Sequence, residues 1–199
     1  GGGLPEPDFQ VQGEHIWGGF AEYAVAPADN LRHLPDEVSF ETAAATALVT
    51  VTAWRALFGR GRLAPGERVL ITGGSGGVST AAVQLARHAG AHVFVLTSGA
   101  ENARRLQALG AHEVIDRLAT TPAEGIRKAT GRRGVDLAVD SVGEALWGTL
   151  VKALAPGGRL VTYGATTGHA ASTDLRYLFW KQLSILGTTM GSPADFTRA

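Results

Sequence analysis

Cysteine is absent from these 199 residues, which excludes disulfides, a thiolate nucleophile and any cysteine-based metal site within the chain. The absence suits a reducing compartment. Net charge is lacking too: 18 Lys and Arg balance 18 Asp and Glu, and the basic residues fall only in small groups such as Arg104–Arg105 and Arg132–Arg133. A polyanion such as nucleic acid is therefore a poor main partner. No apolar run reaches the roughly 18 residues of a membrane helix, and no signal-peptide pattern is visible. The expectation is a cytoplasmic protein with no membrane partner. Glycine, by contrast, is abundant: 27 residues, about twice the usual share, as suits an α/β protein rich in tight turns.

Four of those glycines fall in one place. The stretch LITGGSGGVSTAAVQLARHAG, residues 70–90, passes from an apolar run into Gly73, Gly74, Ser75, Gly76 and Gly77. Then come Val78, Ala81, Ala82, Val83, Leu85, Ala86 and Ala89, spaced as one face of a helix pressed on a sheet. A strand, a glycine turn and a helix make half of a βαβ unit. Its helix N-terminus offers unpaired N–H groups suited to phosphate, and the glycines let a ligand approach the backbone. The G-x-G-x-x-G pattern is incomplete, because Ser79 stands where the third glycine would be. That glycine serves close helix-to-sheet packing, which serine permits at modest cost. Glycine turns also join strands to helices in proteins that bind nothing, so the loop alone leaves both readings open.

The pattern of the unit repeats along the chain. Strands are expected at 68–72, 92–97, 112–116, 135–140, 160–166 and 183–190, with helices over 78–88, 101–109, 122–130 and 144–154 between them. Residues 39–58 also read as helical, with Ser39 as N-cap and Glu41 in the first turn. Six strands with intervening helices predict an α/β fold, a doubly wound six-stranded parallel sheet whose site lies at the strand C-termini. Before residue 39 the punctuation is glycine and proline around two strand candidates, FAEYAVAP (20–27) and LRHLP (31–35), which look like the edge of a β-rich region.

Several segments together carry a family resemblance: GEHIWGGFAEYAV, NLRHLPDEVSFETAAA, TAWRAL, LAPGERVLITGGSGGVSTAAVQLARHAGA and LQALGAHEVID. In that order they resemble the medium-chain dehydrogenase/reductase superfamily, in the branch of zinc-type alcohol dehydrogenases and quinone oxidoreductases. The resemblance implies a partial GroES-like catalytic region over 1–38, a Rossmann nucleotide-binding domain over 39–190, and the start of a return to the catalytic domain over 191–199. It implies a chain truncated at both ends, a small-molecule substrate and a homo-oligomer. It also places a catalytic zinc ligand of the zinc-dependent members at Leu48, which has no donor atom. The expected activity is thus zinc-independent transfer of hydride from NADPH or NADH to a quinone, carbonyl or activated alkene. Two alternatives stand beside it: a nucleotide-binding module without catalytic activity, and a zinc-dependent alcohol dehydrogenase with substitute ligands.

The implied site residues belong to the cofactor. Gly74 and Ser75 make the turn, and the N–H groups of Gly76, Gly77 and Val78 meet the pyrophosphate. Ser141 and Val142 close the loop after the fourth strand. Gly164 and Ala165, then Gly187 and Thr188, flank the nicotinamide. Thr50 faces the same side, or else bonds back to the carbonyl four residues earlier. At the end of the second strand Thr97 and Ser98 stand where an NAD site carries an acid, so NADPH is expected to be preferred modestly. Arg104 or Arg105 follows closely enough to be the partner of its 2′-phosphate, while Asn102 takes a position that is lysine in many NADPH-using relatives. Asp140 ends the fourth strand and reads either as a turn cap or as a ligand contact. Among the six histidines, His15 has no second ligand at metal spacing, His88 and His92 read as solvated helix-end residues, and His33, His112 and His169 have no predicted partners. No residue is assigned a catalytic role.

Overall fold

Strands that are apolar at every position need cover on both faces, and that requirement shapes the molecule. The computed structural model describes residues 10–199. Six strands, β1 (Arg68–Ile71), β2 (His92–Thr97), β3 (Glu113–Asp116), β4 (Val135–Asp140), β5 (Leu154–Thr162) and β6 (Ser184–Gly187), form one sheet in the order β3-β2-β1-β4-β5-β6. Every neighbouring pair is parallel. This is the doubly wound Rossmann arrangement predicted above, with its switch point between β1 and β4.

Alternation divides the apolar strands into two cores. Val69, Ile71, Val93, Val95, Leu137, Val139 and Val161 face one layer, where they meet Ala53 and Leu57 and then Ala82, Val83 and Ala86 of α2 (Gly77–His88). Leu70, Phe94, Leu96, Ala138 and Leu160 face the other, against Ile126 of α4 (Pro122–Ala129) and Leu146 and Leu150 of α5 (Glu144–Ala153). Leu106 of α3 (Ala100–Ala108) joins the first layer. Each of these strand residues is at most 2% exposed.

Local signals set the helix starts. Ser39 accepts from the Thr42 N–H at 3.2 Å to cap α1 (Phe40–Trp54), and Thr121 caps α4 with Pro122 in its first turn. The helix expected over 39–58 does not run straight to its end: it widens into a π-helical turn, Arg55–Arg60, closed by Gly61 N–H on Ala56 O at 2.9 Å. A Cβ at Gly61 would lie 2.6 Å from that carbonyl, so only glycine fits the exit. In β5 the register jumps from Val135–Leu154 to Leu137–Arg159. Residues 155–158, Ala-Pro-Gly-Gly, therefore swing out of the ladder as a glycine turn.

Two expectations are corrected. Residues 20–27 and 31–35 carry no strand: among the described residues before α1, the regular features are one bridge, Gln12 to Ile16, and a 3-10 turn, Ala28–Asn30. A strand exists only where a neighbour takes up its backbone hydrogen bonds, and no described segment runs beside these two. Two short helices were not anticipated, α6 (Leu175–Trp180) and α7 (Pro193–Arg198). The second carries a readable signal, a capping box in which Ser192 and Asp195 each bond the other's backbone.

Candidate functional site

Parallel strands all end on one edge, so the loops after β1, β2, β4, β5 and β6 gather there. At the centre, Gly73 takes φ +61° and Gly76 N–H donates to Gly73 O at 2.8 Å, which folds Gly73–Gly76 into a tight turn. The turn sits directly on the sheet. A Cβ on Gly74 would lie 2.7 Å from both Leu106 and Val95 side chains. Ser79, in place of a third glycine, is 2% exposed and donates to Thr72 O at 2.6 Å. The serine thus keeps the helix close to the strand by bonding it.

The Gly76 N–H is spent on this turn, so it is not available to a phosphate, contrary to the sequence reading. Gly77 and Val78 differ. They open α2, Gly76 provides no side-chain cap, and the first bond back into the turn is Thr80 N–H to Gly76 O. No hydrogen bond among the described residues uses the Gly77 or Val78 N–H. Ser75, Gly76 and Gly77 are exposed. A dinucleotide pyrophosphate fits these donors at the positive end of a 12-residue helix.

The loop after β4 is held by a buried acid. Asp140 is 0% exposed and accepts from Thr72 Oγ1 at 2.6 Å, Val142 N–H at 3.1 Å and Gly143 N–H at 2.9 Å. Of its two readings, the turn cap is the one the structure shows. Ser141 and Val142 in turn offer their carbonyls to Thr166 and Thr167, at 2.9 and 2.6 Å from the hydroxyls. A Cβ on Gly164 would lie 3.1 Å from Ser141 O, so Gly164 and Ala165 of the β5 loop lie against the β4 loop. Beside them Tyr163 Oη lies 3.4 Å from Ser79 Oγ, and burial pushes its phenol above the ordinary value, so it stays protonated.

Gly187 and Thr188 are tied to the π-helical turn after α1 through arginines that sequence reasoning missed. Arg55 Nε donates to Thr188 Oγ1 at 3.1 Å, Arg55 Nη1 reaches Asp195 at 2.6 Å, and Arg60 Nε donates to Gly187 O at 3.0 Å. Burial alone would raise the Asp195 carboxyl; the Ser192 N–H and hydroxyl and the Arg55 guanidinium outweigh it and hold the carboxyl below its ordinary value. Thr50 lies one turn earlier on α1 and is half-buried. Thr46 and Thr52 bond back to carbonyls four residues earlier, at 2.7 and 2.9 Å, and Thr50 makes no such bond.

At the end of β2 the side chains differ from expectation. Thr97 Oγ1 is buried with no hydrogen-bond partner. Asn102 closes its own loop by donating to Ser98 O at 2.9 Å, and the Gly99 N–H is taken by Asp116 Oδ1 at 2.9 Å. Arg104 is exposed and makes no hydrogen bond or ion pair with these residues. The cation at this loop is Arg117, whose Nε donates to the Ser98 hydroxyl. It lies 19 residues away along the chain, and only the β2–β3 pairing brings the two together.

Away from this edge, His112 corrects the reading that it lacks partners. Its Nδ1 accepts from Val93 N–H at 2.9 Å, its Nε2 meets Arg87 at 2.6 Å, and its ring stacks on His92 at 4.2 Å. His15 accepts from Val11 N–H at 3.0 Å. Among the described residues no three His, Cys, Asp or Glu side chains are grouped to hold a metal, and Leu48 is 56% exposed. No described helix is long and apolar enough to cross a membrane.

A glycine turn and an uncapped helix at the switch point of a six-stranded parallel sheet define a Rossmann-type dinucleotide fold. The chain belongs to the zinc-binding dehydrogenase family, whose model matches residues 77–199, and to the wider medium-chain dehydrogenase/reductase superfamily. It is 32% identical over 177 residues to the quinone oxidoreductase of Homo sapiens, with 89% of this chain and 53% of the relative covered. The crystal structure of an NAD-dependent alcohol dehydrogenase superposes with a TM-score of 0.89 at 38% identity, covering 96% of this chain and 56% of that one. The 2-octenoyl-CoA carboxylase reductase CinF, solved with NADP and 2-octenoyl-CoA, superposes with a TM-score of 0.85 at 28% identity, covering 92% and 46%. The chain therefore spans about half the length of the relatives it matches.

Proposed function

We propose that this chain forms the nucleotide-binding part of a zinc-independent NAD(P)H-dependent oxidoreductase acting on a quinone, carbonyl or activated alkene. The observation that carries the reading is the pair of unspent N–H groups of Gly77 and Val78, set at the switch point above the Gly73–Gly76 turn. On this reading Rossmann residues span 39–190, residues 1–38 belong to the catalytic domain, and 191–199 begin the return to it. A bound nicotinamide supplies the hydride, so the protein's task is to orient and to exclude water. Gly77 and Val78 hold the pyrophosphate. The Ser141–Val142 and Gly164–Ala165 loops, braced on each other, and Gly187 and Thr188, braced by Arg60 and Arg55, form the wall at the nicotinamide end. Thr50 presents its hydroxyl to the same space.

Zinc independence is supported by Leu48, at the position where the resemblance requires a ligand, and by zero cysteines. Family membership does not supply the missing donors. The quinone oxidoreductase and the 2-octenoyl-CoA enzyme support quinones and activated alkenes as the acceptor class. The relatives' cofactors point both ways, to NAD in one structure and NADP in another. Preference must then come from the end of β2, where Thr97 and Ser98 put no acid, and NADPH is preferred about tenfold. A second copy of the chain is the further partner, supported by edge strand β6 beside exposed Phe179 and Trp180.

Dissociation constants for NADPH and NADH from tryptophan quenching, followed by NADPH oxidation with a quinone and an enone by the full-length protein before and after chelation, test the reading. Binding with turnover that survives chelation is expected. Binding without turnover would favour the inactive module, and zinc lost together with activity would favour the zinc-dependent alcohol dehydrogenase.

A further inference from the structure

The loop after β2 and the start of the loop after β3 build one small site. Arg117 is fixed there at two points: its N–H donates to Thr97 O at 3.0 Å, and its Nε donates to Ser98 Oγ. Arg117 is exposed, and no described residue accepts a hydrogen bond from its terminal nitrogens. A guanidinium held by one nitrogen presents the other two as a pre-aligned pair, the geometry that grips a phosphate. Asn102 and Asp116 fix the rest of the loop, through Ser98 O and Gly99 N–H, at 2.9 Å each.

Asp116 is the competing feature. Its Oδ1 accepts from Gly99 N–H and Leu118 N–H, both at 2.9 Å, and these two donors hold the carboxyl below its ordinary value. It is therefore an anion at neutral pH, and no ion pair joins it to Arg117. Its Oδ2 has no partner among the described residues. That oxygen could accept ribose hydroxyls, as an acid on β2 would, or it could merely oppose a phosphate held by Arg117.

The geometry points to Arg117, and not Arg104, as the residue by which this protein distinguishes a 2′-phosphorylated adenosine from an unphosphorylated one, with Asp116 as the charge that limits the preference. Arg104, on α3, is exposed and makes no hydrogen bond or ion pair with the loop, whereas Arg117 is anchored in it. Because Ser98 is small and neutral, a phosphate beside it would meet the two free guanidinium nitrogens without a side chain in between. The assignment rests on the dinucleotide reading above.

The test uses the intact protein and two probes, adenosine 2′,5′-bisphosphate and adenosine 5′-monophosphate, titrated by calorimetry, with NADPH and NADH measured alongside. Wild type should bind the bisphosphate about tenfold more tightly than the monophosphate, and added salt should shrink that ratio. Arg117→Ala should remove the ratio while leaving monophosphate binding unchanged; Arg117→Lys should retain part of it; Arg104→Ala should retain all of it. Asp116→Asn should raise the ratio by tightening the bisphosphate. The assignment is overturned if Arg104→Ala abolishes the ratio, if Arg117→Ala weakens both probes alike, or if Asp116→Asn loosens the monophosphate and NADH. Absence of binding by NADPH and NADH alike would instead strike the dinucleotide reading itself.

Discussion

Phe20 and Phe94 are the same residue in opposite situations. Phe94, on β2, is fully buried, with the Arg68 guanidinium 5.2 Å from its ring centre, whereas Phe20 is as exposed as a side chain in an extended peptide, at 111%. The contrast extends to their neighbourhoods. Trp17, Tyr23 and Val25 are each at least 90% exposed, while the apolar residues of the central strands β1 and β4 are 0% exposed. Hydrophobicity was equally available in both regions; what differed was a second surface to press against. The sheet makes its own, because each helix returns over the strands it connects. Residues 10–38 have no such return among the described residues.

The largest effect expected from this comparison is on stability. Phe94→Ala should cost about 3–5 kcal/mol, read as a lower denaturant midpoint at unchanged slope. Phe20→Ala should change the midpoint by no more than about 0.5 kcal/mol. Equal costs at the two positions would mean that Phe20 is covered in solution.

Next comes the Arg55–Asp195 pair, whose side chains are 11% and 10% exposed. Asp195→Ala should cost about 3 kcal/mol, because it removes the carboxylate that neutralises a buried guanidinium and half of the α7 capping box. Asp195 also gives stability a pH dependence of definite sign. Its folded pKa lies below its unfolded value near 4, so its contribution is whole above that value and is lost as pH falls through the folded one. Asp195→Asn should therefore flatten the acid limb of a stability profile, and an unchanged limb would remove Asp195 as its source.

Glycines sharpen the comparison at an intermediate size. Gly74→Ala must push Leu106 and Val95 aside and should cost about 1–3 kcal/mol, with weaker dinucleotide binding. Gly19→Ala meets nothing within 4 Å and should be neutral or slightly stabilising. The smallest effect belongs to His112. Burial, then the neighbouring His92 and Arg87, lowers its pKa, and its Nδ1 must stay unprotonated to accept from Val93. Its contribution is complete above the unfolded value near 6.5 and declines as pH falls through the lower folded one. Nuclear magnetic resonance titration should find the His112 midpoint below the ordinary histidine value near 6.5; a midpoint above it would reverse the sign.

Much of this was legible in the sequence because it depends on short-range pattern. The six strands, the glycine turn, the Ser39 cap and the absence of an acid after β2 all follow from residue type and spacing, since propensity, burial period and φ preference act within a few positions of the chain. The SPAD capping box was equally legible and was overlooked. The tertiary structure alone decided which side chains meet across long separations. It spent Gly76 N–H on the turn, spent Asp140 on the β4 loop, gave His112 to Val93 and Arg87, left residues 20–27 without a strand partner, and brought Arg117 rather than Arg104 to Ser98. A hydrogen-bonding group has only a few lone pairs or protons, and which neighbour takes them depends on strand order and register, quantities that no local window of sequence contains.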